Sequence, residues 1–177
     1  APLETHPQLA ATWGAPLIRC VFGWMMLFLA TLTLNLAWYG WQCAKHRTDR
    51  LAQRDPLNLL LQVLLTLAAI NCIVQGLLIG QVLMTLVSVI GFATVGTNLW
   101  FLYRRHPRPL SWLKEHVKAL VGAGISVYTA FSAFGAVRTF PALALHPVLW
   151  AIPLVVGLSI ILYQWRAIDR RMKGMRS

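Results

Sequence analysis

Apolar residues recur in five long segments along the chain, and short polar stretches separate them. A helix needs about 20 predominantly apolar residues to cross the hydrocarbon core of a bilayer. Helices are favoured over strands, because an open strand would leave unpaired backbone groups in lipid and the alternation typical of a β-barrel is missing. The pattern predicts an all-α, polytopic membrane protein. It forms a single transmembrane domain with short loops and five spans, at residues 17–41, 56–79, 81–103, 117–137 and 147–165.

Positive charge is concentrated in every other gap between these segments. Fourteen of the 16 Lys and Arg residues lie within residues 45–54, 104–118 and 166–176, and the exceptions are Arg19 and Arg138. Cytoplasmic loops of membrane proteins carry such an excess of Lys and Arg. The bias predicts that the N-terminus lies outside the cell (plasma) membrane and that the C-terminus lies in the cytoplasm.

The composition is unlike that of a soluble domain. Hydrophobic residues make up 58% of the 177 positions and charged residues only 12%, whereas a soluble domain carries about 25% charged residues. The net charge of +11 would indicate nucleic acid in a soluble protein, but no nucleic-acid-binding motif accompanies it. We interpret the charge as a basic cytoplasmic face that contacts anionic lipid headgroups. The expected partners are therefore membrane lipids and other membrane protein subunits, not nucleic acid.

Polar side chains inside the predicted spans are the main candidates for contacts between helices, because lipid gives helices no hydrophobic drive to associate. On the second span Gln62 lies well over 90° around the helix from Asn71 and Gln75. This span is therefore expected to be central, with neighbours on both sides. A solute path or polar ligand pocket is the alternative interpretation. The predicted interhelical polar residues are Asn35, Gln62, Asn71, Gln75, Asn98, Ser126 and Thr129.

No residue pattern typical of catalysis occurs in the sequence. Paired carboxylates, a Ser-His-Asp set, a zinc motif and a phosphate loop are all missing, so we predict no catalytic residue and no metal site. An enzyme is less favoured than a protein without catalysis. No Asp, Glu, Lys or Arg lies deep in a predicted span. This disfavours ion-coupled transport, because such transporters usually keep an ionisable group at membrane depth.

The best candidate for a cofactor ligand is His116, which lies beside Trp112 at the inner end of the fourth predicted span. His46 and His106 lie on the same side, so the three could gather around a haem or a metal near the cytoplasmic surface. His146 lies at the outer end of the fifth span, about 30 Å away, and cannot share an iron with His116. Solvated interfacial histidines are the simpler interpretation.

One predicted helix resembles a known pattern. The stretch from Ser111 to Phe131 is similar to a helix in a loosely defined group of uncharacterised bacterial multi-pass inner-membrane proteins, which carries a Trp, a His four residues later, small residues and then Thr-Ala-Phe. The matching residues are Trp112, His116, Gly122, Thr129, Ala130 and Phe131. The chain departs from the pattern directly after the His, where Val117 replaces an expected Met, and it shows no additional N-terminal span with its own His and Gly. The resemblance covers one helix and implies a bacterial inner membrane, but no activity.

The leading functional hypothesis is a membrane protein without catalysis of its own. It would be an accessory or stabilising subunit of a larger membrane complex, or would bind lipid or a hydrophobic cofactor. The alternatives are a haem- or quinone-linked redox protein, with His116 as an axial ligand, and a small solute transporter that uses the polar faces of the second span. Residues expected to contact lipid or a partner are Trp24, Phe28, Phe131 and Phe134 at lipid depth and Arg19 and Arg138 at the outer rim.

Overall fold

The computed structural model describes residues 15–105, 109–139 and 147–174, and it is helical without strands over these ranges. This confirms the predicted all-α class. The helices are α1 (Ala15–Lys45), α2 (Arg50–Gln53), α3 (Pro56–Ile79), α4 (Val82–Tyr103), α5 (Ser111–Thr139) and α6 (Pro147–Gly174).

Four helical segments of the described chain are long and apolar enough to cross a membrane. They are Cys20–Lys45, Pro56–Ile79, Val82–Tyr103 and Trp150–Gly174. Helix α5 has 29 residues, but it is not among the four, and its first two turns carry Lys114, Glu115 and Lys118. It begins six residues before the predicted span at 117–137, because a helix continues through polar interfacial turns that a search for apolar residues leaves out.

Local signals in the sequence explain the sharp ends of α3. Asp55 is its N-cap, with Oδ1 accepting a hydrogen bond from the Leu57 amide at 2.7 Å, and Pro56 occupies the first turn, where its missing N–H is not needed. At the other end Gly80 has φ +73°, the left-handed conformation that favours glycine. The chain then reverses within two residues, so α3 and α4 form a tight antiparallel hairpin.

Helix α1 is the central helix of the bundle. It packs against α3 and α5, and it also touches α2 and α4, whereas α3 packs mainly between α1 and α4. The sequence predicted a central second span with neighbours on both sides; α3 does have neighbours on both sides, α1 and α4, but it is not the central helix. Helix α1 takes this place because its buried residues recur at intervals of three and four, which forms a continuous stripe along the helix. The stripe consists of Val21, Met25, Phe28, Leu32, Leu36, Tyr39 and Cys43.

Three helices, α1, α3 and α4, meet closely at Gly91 of α4. A Cβ placed there would lie 2.7 Å from Cε2 of Phe28 and 3.1 Å from Cβ of Ala69. The missing side chain thus makes room for the Phe28 ring, which is completely buried. Phe28 therefore does not lie on an outer face, as the sequence suggested, but fills the contact between α1, α3 and α4.

The two outermost helices, α4 and α6, make almost no contact with each other in the described part of the chain. Helix α4 is held by α3, and α6 is held by α5. Since α1 and α5 pack against each other between them, the bundle leaves a groove with α4 and α6 as walls and α1 and α5 as floor.

Candidate functional site

The groove between α4 and α6 has a volume of about 590 Å³. Its lining consists mainly of Leu, Ile, Val and Ala side chains from all four helices, with Phe28 on the floor and Trp150 on the α6 wall. Leu83 and Thr97, which both line it on α4, are 14 positions apart, so the groove extends about 21 Å along this helix. One leaflet of the hydrocarbon core is about 15 Å thick. The groove is therefore long enough to accommodate an extended apolar chain that spans a whole leaflet.

Three of the four hydroxyl groups that line the groove, those of Thr97, Ser126 and Thr129, donate hydrogen bonds to backbone carbonyls of their own helices. Thr129 Oγ1 donates to the carbonyl of Ile125 at 2.7 Å, and Ser126 Oγ donates to the carbonyl of Ala123 at 2.8 Å. Ser126 Oγ also lies 2.6 Å from Thr33 Oγ1, a hydrogen bond that joins α5 to α1. Because these groups are satisfied, they add little polarity to the groove.

Lys118 is the only charged side chain among the described residues that line the groove. Its Nζ lies 2.5 Å from Glu115 Oε2, and it donates to Thr97 Oγ1 across the groove at 3.3 Å. It also lies 5.6 Å from the centre of the Tyr39 ring, which favours a cation–π interaction. These contacts hold the ammonium group at one end of the groove, between α4 and α5.

Glu115 is bound from a second side by Tyr39. The buried Tyr39 hydroxyl donates to Glu115 Oε2 at 2.9 Å, and the Tyr39 ring meets Phe101 edge-on at 6.4 Å. The Arg50 guanidinium lies 3.6 Å from the centre of that Phe101 ring. We call Tyr39, Arg50, Glu115 and Lys118 the inner cluster, because they join α1, α2 and α5 at the end of the bundle predicted to be cytoplasmic.

The inner cluster was not predicted from the sequence as a site. Lys118 was assigned only to the inner edge of a span starting at residue 117, and in the structure it lies two turns into α5, which begins at Ser111. The available signal was a Glu-Lys pair at positions i and i+3 directly before an apolar run, which indicates an ion pair on a helix entering the membrane.

Two charged groups outside the spans have altered acidity. Burial lowers the pKa of the Arg50 guanidinium from its ordinary value. Partial burial by itself would raise the pKa of Asp55. Hydrogen bonds from the Trp38 indole, the Leu57 amide and the Gln42 side chain outweigh that effect, so the pKa of Asp55 lies below its ordinary value of 3.8. The Trp38 Nε1–Asp55 Oδ2 distance is 2.9 Å.

Three of the predicted interhelical amides lie at one level between α1, α3 and α4. Counting seven residues, or about two turns, inward from Phe28, Ala69 and Gly91 leads to Asn35, Gln62 and Asn98. Asn98 Nδ2 donates to Asn35 Oδ1 at 3.3 Å, and all three residues are at most 2% exposed. No lining residue of the groove belongs to this set. We call these three residues the amide layer.

The amide layer is incompletely hydrogen-bonded among the described residues. Gln62 has no partner for either Oε1 or Nε2, and Asn35 Nδ2 and Asn98 Oδ1 also lack one. Asn71 and Gln75, on another face of α3, are only half-buried. Of the seven predicted polar residues, three form the amide layer, Ser126 bonds to α1, Thr129 lines the groove, and Asn71 and Gln75 lie on the half-buried face of α3.

His116 contacts a helix instead of lining the groove. Its Nδ1 lies 2.7 Å from the carbonyl oxygen of Gly40 on α1. Since a carbonyl only accepts, Nδ1 is the donor of this hydrogen bond. No group of three or more His, Cys, Asp or Glu residues in the described ranges could hold a metal ion. His106 and His146 lie outside the described residues.

The residues expected to contact lipid or a partner differ in their exposure. Phe131 is 75% exposed, whereas Trp24 is half-buried against the core. The side chains of Arg19, Phe134 and Arg138 lie outside the described part of the structure.

Comparisons of the chain with protein-family models, with curated proteins and with solved structures found no match. The likeness of α5 to a bacterial membrane-protein helix therefore remains an expectation, and any function has to be argued from the groove and the inner cluster.

Proposed function

We propose that this chain is a five-span membrane protein, without catalysis of its own, that binds one membrane lipid in the groove between α4 and α6. The observation that carries the proposal is the groove itself, which is about 590 Å³ in volume and almost entirely apolar, with the Lys118 ammonium at one end. An apolar channel with a single cation at its end matches a molecule with a long apolar chain and a polar headgroup.

The chemistry of the lining favours a lipid over a polar solute. A solute that enters the groove would lose its hydrogen bonds to water and would find few free donors or acceptors, which costs several kcal/mol per polar group. An acyl chain that moves from the bilayer into the groove loses no hydrogen bonds. It gains van der Waals contact with side chains that α4 and α6 leave uncovered. The amide layer could serve a polar solute better, but it is fully enclosed by α1, α3 and α4.

The proposal can be tested by native mass spectrometry of the full chain extracted in a mild detergent. We expect one phospholipid to remain bound to the wild-type protein. Ala93→Trp places an indole in the groove and should remove most of the bound lipid, whereas Ala30→Trp, on an exposed part of α1 outside the groove, should not. Equal retention in both variants would contradict the proposal, and so would a copurifying quinone or haem in place of the lipid.

We also propose that α5 is the fifth span and that the N-terminus lies outside and the C-terminus inside. Five crossings place the termini on opposite sides of the membrane, whereas four crossings would place them on the same side. In intact cells a membrane-impermeant maleimide should react with Thr5→Cys and not with Ser177→Cys. Both variants would be made with Cys20→Ser, because Cys20 is the exposed one of the three native thiols. Labelling at both positions or at neither would place the termini on the same side of the membrane and would indicate four spans.

A second candidate is an accessory subunit of a membrane complex. Helix α5 exposes Tyr128 at 68% and Phe131 at 75%, and these two aromatic side chains lie on one face, three positions apart. Extraction at native expression, followed by sizing and mass spectrometry, should then find a copurifying membrane protein that is lost in Phe131→Ala. Isolation of the chain alone would contradict this role and leave the lipid-binding proposal unaffected.

A further inference from the structure

We infer that Lys118 selects the ligand of the groove by binding the phosphate of an anionic phospholipid from the cytoplasmic leaflet. The inference rests on the proposed function and adds to it the headgroup class, the leaflet and the residue that recognises the headgroup.

The first step is the depth of Lys118. It lies seven residues from the start of α5 and is bonded to Thr97, six residues from the end of α4, so both are about 10 Å from their helix ends. The headgroup layer of a bilayer is about 5–7 Å thick on each side. The backbone at Lys118 is therefore at the edge of the hydrocarbon, and its long side chain can extend toward the phosphates.

The second step is the number of hydrogen bonds that Lys118 can make. A lysine ammonium has three N–H donors and no acceptor. Glu115 and Thr97 take two of them, at 2.5 and 3.3 Å. Since the side chain also lines the groove and keeps 17% of its surface exposed, the third donor is available to a ligand oxygen.

The third step is the net charge around the ammonium. Glu115 is the one carboxylate of the inner cluster, and its Oε2 accepts from both Lys118 and the Tyr39 hydroxyl. Arg50 of the same cluster is near enough to interact electrostatically with Glu115. Two cations and one carboxylate leave the end of the groove positive, so an anionic headgroup is attracted there.

The fourth step is the direction of the lipid. The apolar part of the groove continues from Lys118 toward Leu83 and Trp150, at the end of the bundle away from the basic loops. A lipid whose phosphate binds Lys118 therefore has its acyl chains directed toward the membrane centre, which is the orientation of a lipid in the cytoplasmic leaflet. This leaflet contains anionic lipids.

The test compares phosphatidylglycerol with phosphatidylcholine as probes for the delipidated full chain in mild detergent, with native mass spectrometry as the readout. For the wild-type protein we expect about ten-fold tighter binding of phosphatidylglycerol, the order of magnitude of one charge-assisted hydrogen bond. The preference should weaken as salt is added. Lys118→Gln should reduce it to less than about two-fold, and Lys118→Arg should retain it. Lys173→Gln, an exposed cation on α6 that does not line the groove, should bind like the wild-type protein.

The outcomes separate this inference from the proposed function. If Lys118→Gln keeps the preference, or if the wild-type protein shows none while still binding lipid, the inference is overturned and the lipid-binding groove stands. If neither lipid binds the wild-type protein, both fail. Tighter binding of a fatty acid than of phosphatidylglycerol would show that the site prefers a carboxylate to a phosphate, and this result would also overturn the inference. Circular dichroism verifies the fold of each variant. If Lys118→Gln does not fold, the inference is tested by three other results. These are the wild-type preference for phosphatidylglycerol, the salt dependence of this preference and the preference of the Lys118→Arg variant.

Discussion

The Arg54 guanidinium donates two hydrogen bonds to the carbonyl oxygen of Leu102, from Nε at 3.0 Å and from Nη2 at 2.7 Å. Leu102 belongs to the last turn of α4, where the backbone carbonyls have no partner within the helix. Helix α4 has no basic residue of its own in that turn. Arg54, from the segment between α2 and α3, thus supplies the positive charge that favours a helix C-terminus.

We predict that Arg54→Gln destabilises the protein by about 1–2 kcal/mol, because a charge-assisted pair of hydrogen bonds to the Leu102 carbonyl is lost. The measurement is thermal unfolding in detergent, monitored by circular dichroism. Arg170→Gln is the matched control, since Arg170 is an exposed arginine on α6 and its replacement should change the stability by less than about 0.5 kcal/mol. Equal effects of the two substitutions would show that the Leu102 contact contributes nothing.

The contact at Gly91 gives a second prediction. A methyl group at this position would meet the Phe28 ring at 2.7–3.0 Å and Ala69 at 3.1 Å, so Gly91→Ala should cost about 1–3 kcal/mol through overpacking. Gly96→Ala, in the same helix, meets nothing within 4 Å and should be neutral or stabilising by up to about 1 kcal/mol. Unfolding measurements should show a loss of stability for Gly91→Ala and no loss for Gly96→Ala.

A double variant checks the cause of the Gly91 effect. Phe28→Leu shortens the side chain that the new methyl group would meet, so Phe28→Leu combined with Gly91→Ala should be more stable than the sum of the single effects predicts. Simple additivity would show that the clash with Phe28 is not responsible.

The amide layer gives a third prediction, which contrasts two buried amides. Asn98→Leu removes the hydrogen bond to Asn35 and should cost about 0.6 kcal/mol, and at most about 1.7 kcal/mol, the range of interhelical hydrogen bonds in membranes. Gln62 has no partner for its amide among the described residues, so Gln62→Leu should be neutral or stabilising, because a buried polar group without a hydrogen bond is removed. A loss of stability in Gln62→Leu as large as in Asn98→Leu would show that Gln62 is hydrogen-bonded.

The sequence predicted helix ends best where local chemistry fixes them. The second predicted span, 56–79, coincides with α3 because Asp55 and Pro56 start the helix and Gly80 ends it. Helix α5 begins six residues before the fourth predicted span, because a helix continues through polar turns that a search for apolar residues leaves out. The orientation of the chain and its insertion in a membrane remain predictions from charge and hydropathy.

The candidate site depends on relationships that one helix does not reveal. The burial of Phe28 is decided by Gly91, which is 63 positions further along the chain. The groove exists because α4 and α6 do not pack together. Both helices are apolar enough to cross a membrane, so their apolarity alone does not reveal that they stay apart. Polar residues within a span could be identified from the sequence. Which of them face the groove and which form the amide layer is decided by the pairing of distant helices.

The pH dependence of stability gives the last prediction, through Asp55. Its pKa is lower in the folded protein than the ordinary value of 3.8, since the Trp38, Leu57 and Gln42 donors outweigh the effect of partial burial. The unfolded chain therefore binds more protons at acidic pH, and the stability contributed by Asp55 is present above about pH 4 and is lost as the pH falls through the folded pKa. Asp55→Asn should remove this contribution while keeping an N-cap on α3, so its unfolding temperature should fall less than that of the wild-type protein between about pH 5 and pH 3. Trp38→Phe removes one of the stabilising donors and should show an intermediate pH dependence. If all three proteins lose stability equally on acidification, the hydrogen bonds to Asp55 do not lower its pKa.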